Sequence, residues 1–110
     1  MQLIKAIVRP NKVDDVKAAL EKIGVSGMTV TEVRGHGQQK GHTAIYRGKE
    51  YNVSLLPKVE IELVVPDNVV DEVIKAIIAA ARTGEIGDGR VFVLPVDYGY
   101  NIRTGERDMT

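Results

Sequence analysis

The chain has 110 residues, no cysteine, and 15 basic side chains that balance 15 acidic ones. Domains commonly span roughly 100–200 residues, so we expect one domain over residues 1–110. Without cysteine there is no disulfide framework, thiolate nucleophile or cysteine-based metal site. The even charge balance disfavours a nucleic-acid-binding protein, because such proteins usually carry a basic excess.

The N-terminal stretch MQLIKAIVRP has no long apolar run after a charged start. Secretory signal peptides and membrane spans both require such a run. We therefore expect a soluble, cytoplasmic protein.

The first half of the chain resembles the second. The stretch IKAIVRPNKVDDVKAAL (4–20) aligns with IELVVPDNVVDEVIKAI (61–77), and the shared Asn-x-x-Asp is the part hardest to attribute to chance. Each stretch is typical of a strand followed by an amphipathic helix. In residues 59–65 apolar and polar side chains alternate, the period of a half-buried strand. In residues 13–23 apolar side chains recur every three or four positions, which predicts a helix.

The predicted helices have recognisable ends. Asn11 and Asn68 are candidate N-caps, with Asp14 and Asp71 placed where a carboxylate can meet backbone N–H groups of the first turn. Gly24 and the Thr83-Gly84 pair are expected to end the helices.

A second strand follows each predicted helix, over residues 28–35 and 90–96. The order β-α-β, loop, β-α-β predicts an α+β, ferredoxin-like sandwich with both helices on one face of an antiparallel sheet. We expect Ala6, Val8, Val64 and Thr31 on the other face. That face is too apolar to remain in water, so self-association is expected.

The two units are joined by residues 35–58, a connection rich in glycine. Such long connections are usually functional or disordered. One interpretation is a β-hairpin with ordinary cross-strand pairs. The other, which we favour, is a mobile recognition loop at about 37–56 with Arg47-Gly48-Lys49 at its tip. His36 and His42 lie here without acidic neighbours and favour solvated side chains over a metal site.

The segment TGEIGDGRVFV (83–93) contains Gly87-Asp88-Gly89-Arg90 between a helix and a strand. Glycine lets backbone N–H groups approach an anion, and an arginine beside them suits phosphate oxygens. The alternative is a glycine-rich turn that feeds the last strand. This segment alone leaves both open.

The chain resembles the PII signal-transduction proteins, nitrogen- and carbon-status regulators of bacteria, archaea and plastids. YRGKEY (46–51) is similar to the family's tyrosine-flanked loop signature, and TGEIGDGRVFV (83–93) fits its glycine-rich signature throughout. The stretches GMTVTEVRGHGQQKGH, LLPKVEIELVVPD and IRTGE add support, so the resemblance covers essentially the whole chain.

The resemblance implies a trimer that binds ATP or ADP in clefts between neighbouring subunits, and no catalytic residues. It implies that 2-oxoglutarate completes the shell of a Mg²⁺ ion on the ATP phosphates, which Gln39 helps to hold, while Lys58 meets a carboxylate. The implied nucleotide contacts are Thr29, Gly37, Gln38, Val64, Gly87, Asp88, Gly89, Arg90, Asn101 and Arg103. The implied 2-oxoglutarate contacts are Gln39, Lys58, Gly37 and Gly87.

The resemblance also implies how the protein regulates its partners. ATP, Mg²⁺ and 2-oxoglutarate would bend the long loop, and ADP would let it extend to ammonium transporters or to enzymes and kinases of nitrogen metabolism. Arg47, Lys49 and Tyr51 would contact the partner, and Tyr51 matches a tyrosine that is uridylylated in many bacterial members. The protein would contact a membrane only through a transporter partner, and no nucleic-acid partner is expected.

Two positions depart from the family pattern. Lys49 stands where a small residue is usual, which adds charge at the tip. Asn101 stands where many members have an arginine that contacts phosphate, and losing a charge-assisted bond costs on the order of 1–3 kcal/mol. An altered nucleotide affinity is therefore expected. The alternative function is a divergent regulator that senses adenylates only, or another small ligand.

Two other functional classes occur on such a fold, and the sequence disfavours both. A small acylphosphatase-like enzyme would need a nucleophile or a base, and neither cysteine nor a serine motif is present. An RNA-binding module would need several stacking aromatic rings on its sheet. Only Phe92 offers one in the central strands.

Overall fold

A computed structural model describes residues 1–35, 43–46, 49–52 and 55–108, with the backbone alone for 43–46 and 49–52. The helices and strands are β1 Gln2–Val8, α1 Val13–Lys22, β2 Thr29–Gly35, β3 Thr43–Tyr46, β4 Lys49–Asn52, β5 Leu56–Val65, α2 Val70–Ala81, β6 Gly89–Pro95, β7 Gly99–Tyr100 and β8 Arg107–Asp108. A short 3-10 turn precedes each helix, at Pro10–Lys12 and Asp67–Val69.

The main sheet is antiparallel throughout, with strand order β2-β5-β1-β6. The central pair β1 and β5 comes from the two halves of the repeat, so the β-α-β units interleave. This order is that of a ferredoxin-like sandwich, and the predicted α+β fold is confirmed.

The core lies between the two helices and one face of the sheet. Equivalent positions of the repeat fill equivalent places, since Ile4 and Ile61 are both fully buried, as are Val16 and Val73. Burying each such side chain contributes about 1.5–3 kcal/mol. The buried residues are Ile4, Ala6, Val8, Val16, Leu20, Val59, Ile61, Leu63, Val65, Val73, Ile77 and Ala81.

The face predicted for Ala6 and Val8 of β1 was wrong. Ala6 pairs with Ile61 and is fully buried, and Val8 is 2% exposed, so both face the helices. The other side of β1 is also largely apolar, because Leu3 and Ile7 lie there on either side of Lys5. The alternation in β1 therefore gives only a weak signal of which set faces the core, and Lys5 is the residue that carries it.

The other sheet face, here called the open face, carries Val64 and Thr31 as expected. Val64 is 51% exposed, and Phe92 on β6 is 46% exposed. Because β6 is an edge strand, Phe92 does not lie in the centre of the sheet. Between these apolar side chains Lys5 Nζ lies 3.6 Å from carboxylate oxygens of both Glu60 and Glu62. Self-association through this face stays a prediction.

The predicted N-caps were also wrong. Asn11 and Asn68 lie within the 3-10 turns, and neither helix has a side-chain hydrogen bond at its N-cap. Pro10 is the first residue of its turn, where a fixed φ is suitable, and Pro66 directly precedes the other turn as its N-cap. Asp14 and Asp71 lie in the first helical turns, as predicted, whereas α2 ends at Ala81, before the Thr83-Gly84 pair that was expected to end it.

Gly24 ends α1 as predicted. With φ at 81°, its N–H donates to the carbonyl of Glu21 at 3.0 Å, while the N–H of Val25 donates to Leu20 at 2.9 Å. This left-handed conformation is favourable only for glycine and satisfies two of the last carbonyls of the helix.

Part of the long connection is a hairpin, the alternative interpretation of that segment. Strands β3 and β4 pair antiparallel, with Tyr46 opposite Lys49. Strand β5 begins at Leu56, earlier than the alternation predicted. Arg47, His36 and His42 lie outside the described residues, so the recognition role of the loop stays a prediction. Within the described ranges, no helix is long and apolar enough to span a membrane.

Candidate functional site

Three strand ends meet at one end of the sheet and bring cationic side chains together. Val8 pairs with Val59 of β5 on one side and with Gly89 of β6 on the other. Arg9 follows the end of β1, Lys58 lies near the start of β5, and Arg90 follows Gly89. Residues far apart in sequence thus surround the turn that links α2 to β6.

Asp88 holds this turn together. Its carboxylate accepts hydrogen bonds from the backbone N–H groups of Thr83 and Gly84, both at 2.8 Å, and from the Thr83 hydroxyl. Arg9 Nε donates to it at 3.1 Å. These donors, the Thr83 hydroxyl first, hold the pKa of the Asp88 carboxyl well below its usual range. The Asp88 side chain therefore braces the turn from within.

The backbone conformation of the turn explains why it contains glycines. Gly84, Gly87 and Gly89 have φ angles of 90°, 102° and 105°, which L side chains rarely adopt. At Gly89 a Cβ would lie 1.7 Å from the carbonyl oxygen of Ile7. The turn interpretation thus accounts for Gly89, because β6 begins in direct contact with the β1 backbone. The phosphate interpretation for Gly87 stays a prediction.

Arg9 and Lys58 both bind carbonyl oxygens of the turn. Arg9 Nη2 donates to Ile86 at 3.0 Å, and Lys58 Nζ donates to Gly87 at 2.5 Å. Partial burial and the neighbouring Arg9 charge lower the pKa of Lys58, with Asp88 opposing them. A cationic group held at a cost to its charged form favours an anionic ligand.

Sequence reasoning missed Arg9. No local motif marks it, because its partners Ile86 and Asp88 lie 77 and 79 positions away. The strand pairing alone brings it to the turn.

Thr29 and Val64 lie elsewhere on the open face. Thr29 pairs with Glu62, which places Val64 diagonally across from it. At ~3.3 Å per residue, Val64 is on the order of 20 Å along β5 from Lys58. A single ligand would have to be elongated to reach both regions.

Asn101 and Arg103 belong to a separate two-stranded hairpin formed by β7 and β8. Asn101 Oδ1 accepts a hydrogen bond from the Thr104 N–H at 3.1 Å, and Arg103 is exposed. Among the described residues, no hydrogen bond or ion pair joins either residue to residues 83–90. One chain alone therefore does not bring them to the turn.

The structure describes only some of the remaining predicted site residues. Gly37, Gln38, Gln39 and Arg47 lie outside the described residues, and Lys49 and Tyr51 are placed by their backbone in β4. Within the part of the chain that the structure describes, no group of His, Asp or Glu could hold a metal ion.

Comparison with known proteins gives matches along nearly the whole chain. The family model for Nitrogen regulatory protein P-II matches residues 1–106. Nitrogen regulatory protein P-II of Haemophilus influenzae is 57% identical over 108 residues, covering 98% of this chain and 96% of the relative. The Rhizobium etli protein of that name is 55% identical, and Nitrogen regulatory protein P-II 1 of Escherichia coli K12 is 57% identical, both with the same coverage. The chain therefore belongs to the P-II family of nitrogen regulatory proteins, which are signalling regulators that act on other proteins and are not enzymes.

Proposed function

We propose that this chain is a trimeric, cytoplasmic sensor of nitrogen, carbon and energy status that binds ATP or ADP. In the ATP state it would also bind Mg²⁺ and 2-oxoglutarate, and it would regulate partners such as ammonium transporters through its long loop. One observation carries the proposal: Arg9, Lys58 and Arg90 gather around a glycine turn at one end of the open face.

The nucleotide would lie along the open face. Its phosphates would meet Arg90 and the backbone of Gly87 and Gly89, because cations and amides without a nearby Cβ suit phosphate oxygens. Its base would lie near Thr29 and Val64. The distance along β5 from Lys58 to Val64, on the order of 20 Å, suits an elongated ligand. Arg103 would come from a neighbouring copy, which makes self-association part of the site.

A dicarboxylate would lie closer to the sheet end. Lys58 offers an ammonium to one carboxylate of 2-oxoglutarate, and Arg9 stands beside it. Gln39 and Gly37 would add contacts from the long loop. Mg²⁺ prefers oxygen ligands and retained waters, so the ATP phosphates, 2-oxoglutarate and the Gln39 side chain would form its shell.

The signal would pass through residues next to the long loop. Gly35 ends β2, and a Cβ placed on it would lie 3.5 Å from Lys58 Cγ. A ligand that moves Lys58 would therefore act where the loop leaves the sheet. A typical coupling of about 1–3 kcal/mol changes partner occupancy several-fold. Arg47, Lys49 and Tyr51 would face the partner, with Tyr51 a candidate for uridylylation.

Calorimetric titration of the full chain tests the proposal. ATP with Mg²⁺ is titrated with and without 2-oxoglutarate, then again with Gln39→Ala and with Arg90→Ala. We expect 2-oxoglutarate to tighten ATP binding, Gln39→Ala to remove that effect, and Arg90→Ala to weaken ATP in both conditions. A parent protein that binds no nucleotide contradicts the proposal.

A second function is favoured by Asn101, which cannot form a charge-assisted bond to phosphate. It is a regulator of the same fold that senses adenylates only, or another small ligand. The same titration separates the two. Nucleotide binding without any effect of 2-oxoglutarate supports the adenylate sensor.

A further inference from the structure

We propose that Asn101 is a positioning residue, which shapes the turn over residues 101–106 so that Arg103 is presented in one conformation. The inference rests on the proposed function, in which Arg103 meets the phosphates of a nucleotide. It assigns a structural role to Asn101: the side chain organises the turn, and its presence is not simply the loss of a phosphate contact.

Asn101 is the centre of the hydrogen bonding in this turn. Its Oδ1 accepts from Thr104 N–H at 3.1 Å and its carbonyl accepts from Gly105 N–H at 2.7 Å. Its own N–H donates to the Glu106 carbonyl at 2.8 Å. A side-chain oxygen that bonds a later backbone N–H is the usual device by which asparagine shapes a turn.

The rest of the hairpin supports the turn from both sides. Thr104 Oγ1 accepts from the Glu106 N–H at 3.2 Å, and Gly105 takes the positive φ of 71° that closes the turn. At the base, the Arg107 guanidinium lies 4.5 Å from the centre of the Tyr98 ring, and Tyr98 meets Tyr100 edge to face at 5.9 Å. These contacts order a hairpin that does not pair with the main sheet.

The braced turn leaves its apex in solvent. Ile102 is fully exposed, and Arg103 is exposed beside it. A preorganised turn loses less conformational freedom when it meets a ligand, so its arginine binds more tightly. An arginine at position 101 has only donors and could not accept the Thr104 N–H. It would therefore add charge but release the turn.

The test compares five variants of the full chain: Asn101→Ser, Asn101→Ala, Asn101→Arg, Arg103→Ala and the double variant of Asn101→Ala with Arg103→Ala. Serine keeps a neutral acceptor that can bond the same N–H, so it is the conservative control. The measurements are amide hydrogen exchange of Thr104 and Gly105 and calorimetric ATP affinity. Size-exclusion with light scattering checks that the assembly is unchanged.

We expect Asn101→Ala and Asn101→Arg to exchange both amides faster and to bind ATP about fivefold more weakly, the loss of one hydrogen bond's contribution. Asn101→Ser should stay within about twofold of the parent. In the background of Arg103→Ala, the Asn101→Ala change should no longer alter ATP affinity, because the positioned side chain is gone.

Two results overturn the inference. One is tighter ATP binding by Asn101→Arg than by the parent, which would make Asn101 a lost contact. The other is unchanged exchange of Thr104 in Asn101→Ala. If the parent binds no ATP, the proposed function fails together with the phosphate role of Arg103, while the exchange data still decide whether Asn101 organises the turn.

Discussion

Arg9 and Asp88 lie 79 positions apart in the chain and are joined by a hydrogen bond of 3.1 Å between Nε and Oδ1. The two side chains are equally enclosed, each 23% exposed. Arg9 also binds the Ile86 carbonyl, so one guanidinium attaches the α2–β6 turn to the end of β1. The candidate site depends on this connection, because the turn carries Gly87 and leads directly into Arg90.

We predict that Arg9→Met releases this turn. Methionine keeps much of the side-chain volume but donates no hydrogen bond, so amide exchange at Thr83 and Gly84 should rise about tenfold or more as the turn opens locally. Asp88→Asn should raise exchange at least as much, because Asp88 also accepts directly from the Thr83 and Gly84 N–H groups. Arg9→Met should have a smaller effect in the Asp88→Asn background, because the Arg9–Asp88 ion pair is already lost there. Lys12→Met is a control for the loss of a cation near α1. Additive effects of the Arg9 and Asp88 changes would contradict the shared connection.

Acid should weaken the same turn. The pKa of Asp88 is lowered on folding, so its contribution is fully present above the ordinary aspartate value of about 3.9 and is lost as the pH falls below it. The pKa of Asp67 is lowered as well, because the amino terminus and Gln2 donate to its carboxylate. We therefore expect Asp88→Asn to reduce, without abolishing, the pH dependence of the free energy of unfolding between about pH 4 and 2. Urea denaturation at several pH values measures it, and an unchanged dependence would contradict the assignment.

Gly89→Ala should destabilise the fold strongly. The new Cβ would meet the Ile7 carbonyl oxygen, and the backbone φ is unfavourable for alanine. We expect a loss of more than ~3 kcal/mol in the free energy of unfolding, since β6 must leave β1. Gly84→Ala is the matched control, because its φ is also positive but nothing lies within 4 Å of the new Cβ. Its cost should be about 1 kcal/mol. Equal effects in urea denaturation, at one protein concentration, would count against the close contact.

The open face should mediate self-association. Val64→Glu places a charge among the apolar side chains of that face, and we expect it to give a 12.0 kDa monomer where the parent gives a larger species. Ile78→Glu is the control, because Ile78 is 45% exposed on helix α2 and not on the open face. Size-exclusion with light scattering measures both. A parent that is already monomeric would contradict the prediction.

Lys58 should make 2-oxoglutarate binding sensitive to pH. Its pKa is lowered by partial burial and by Arg9, so the ammonium is lost at a lower pH than in an ordinary lysine, whose pKa is about 10.4. The affinity for the dicarboxylate should therefore fall as the pH rises through that lowered value. Lys58→Arg should remove this dependence, because guanidinium stays charged. Calorimetry with ATP and Mg²⁺ present measures it, and a parallel decline in both proteins would rule out Lys58 as the cause.

The sequence by itself determined the two β-α-β units, their helices and the residue that ends α1. These features are local: the helix period, the strand alternation and the left-handed glycine all arise from neighbours along the chain. The repeat also indicated which positions of the two halves are equivalent, and Ile4 with Ile61 confirms it in the core. The family signature at residues 83–93 was equally visible without any structure.

The tertiary structure established which face of β1 is buried, because Leu3 and Ile7 make the other side largely apolar and leave Lys5 as its main polar signal. It also showed that Asn11 lies inside a 3-10 turn, since the adjacent Pro10 begins that turn earlier than the helix pattern suggests. The requirement for glycine at Gly89 comes from the Ile7 carbonyl, and the role of Arg9 comes from Asp88. Both are contacts between segments distant in sequence, and such contacts exist only once the strands have paired.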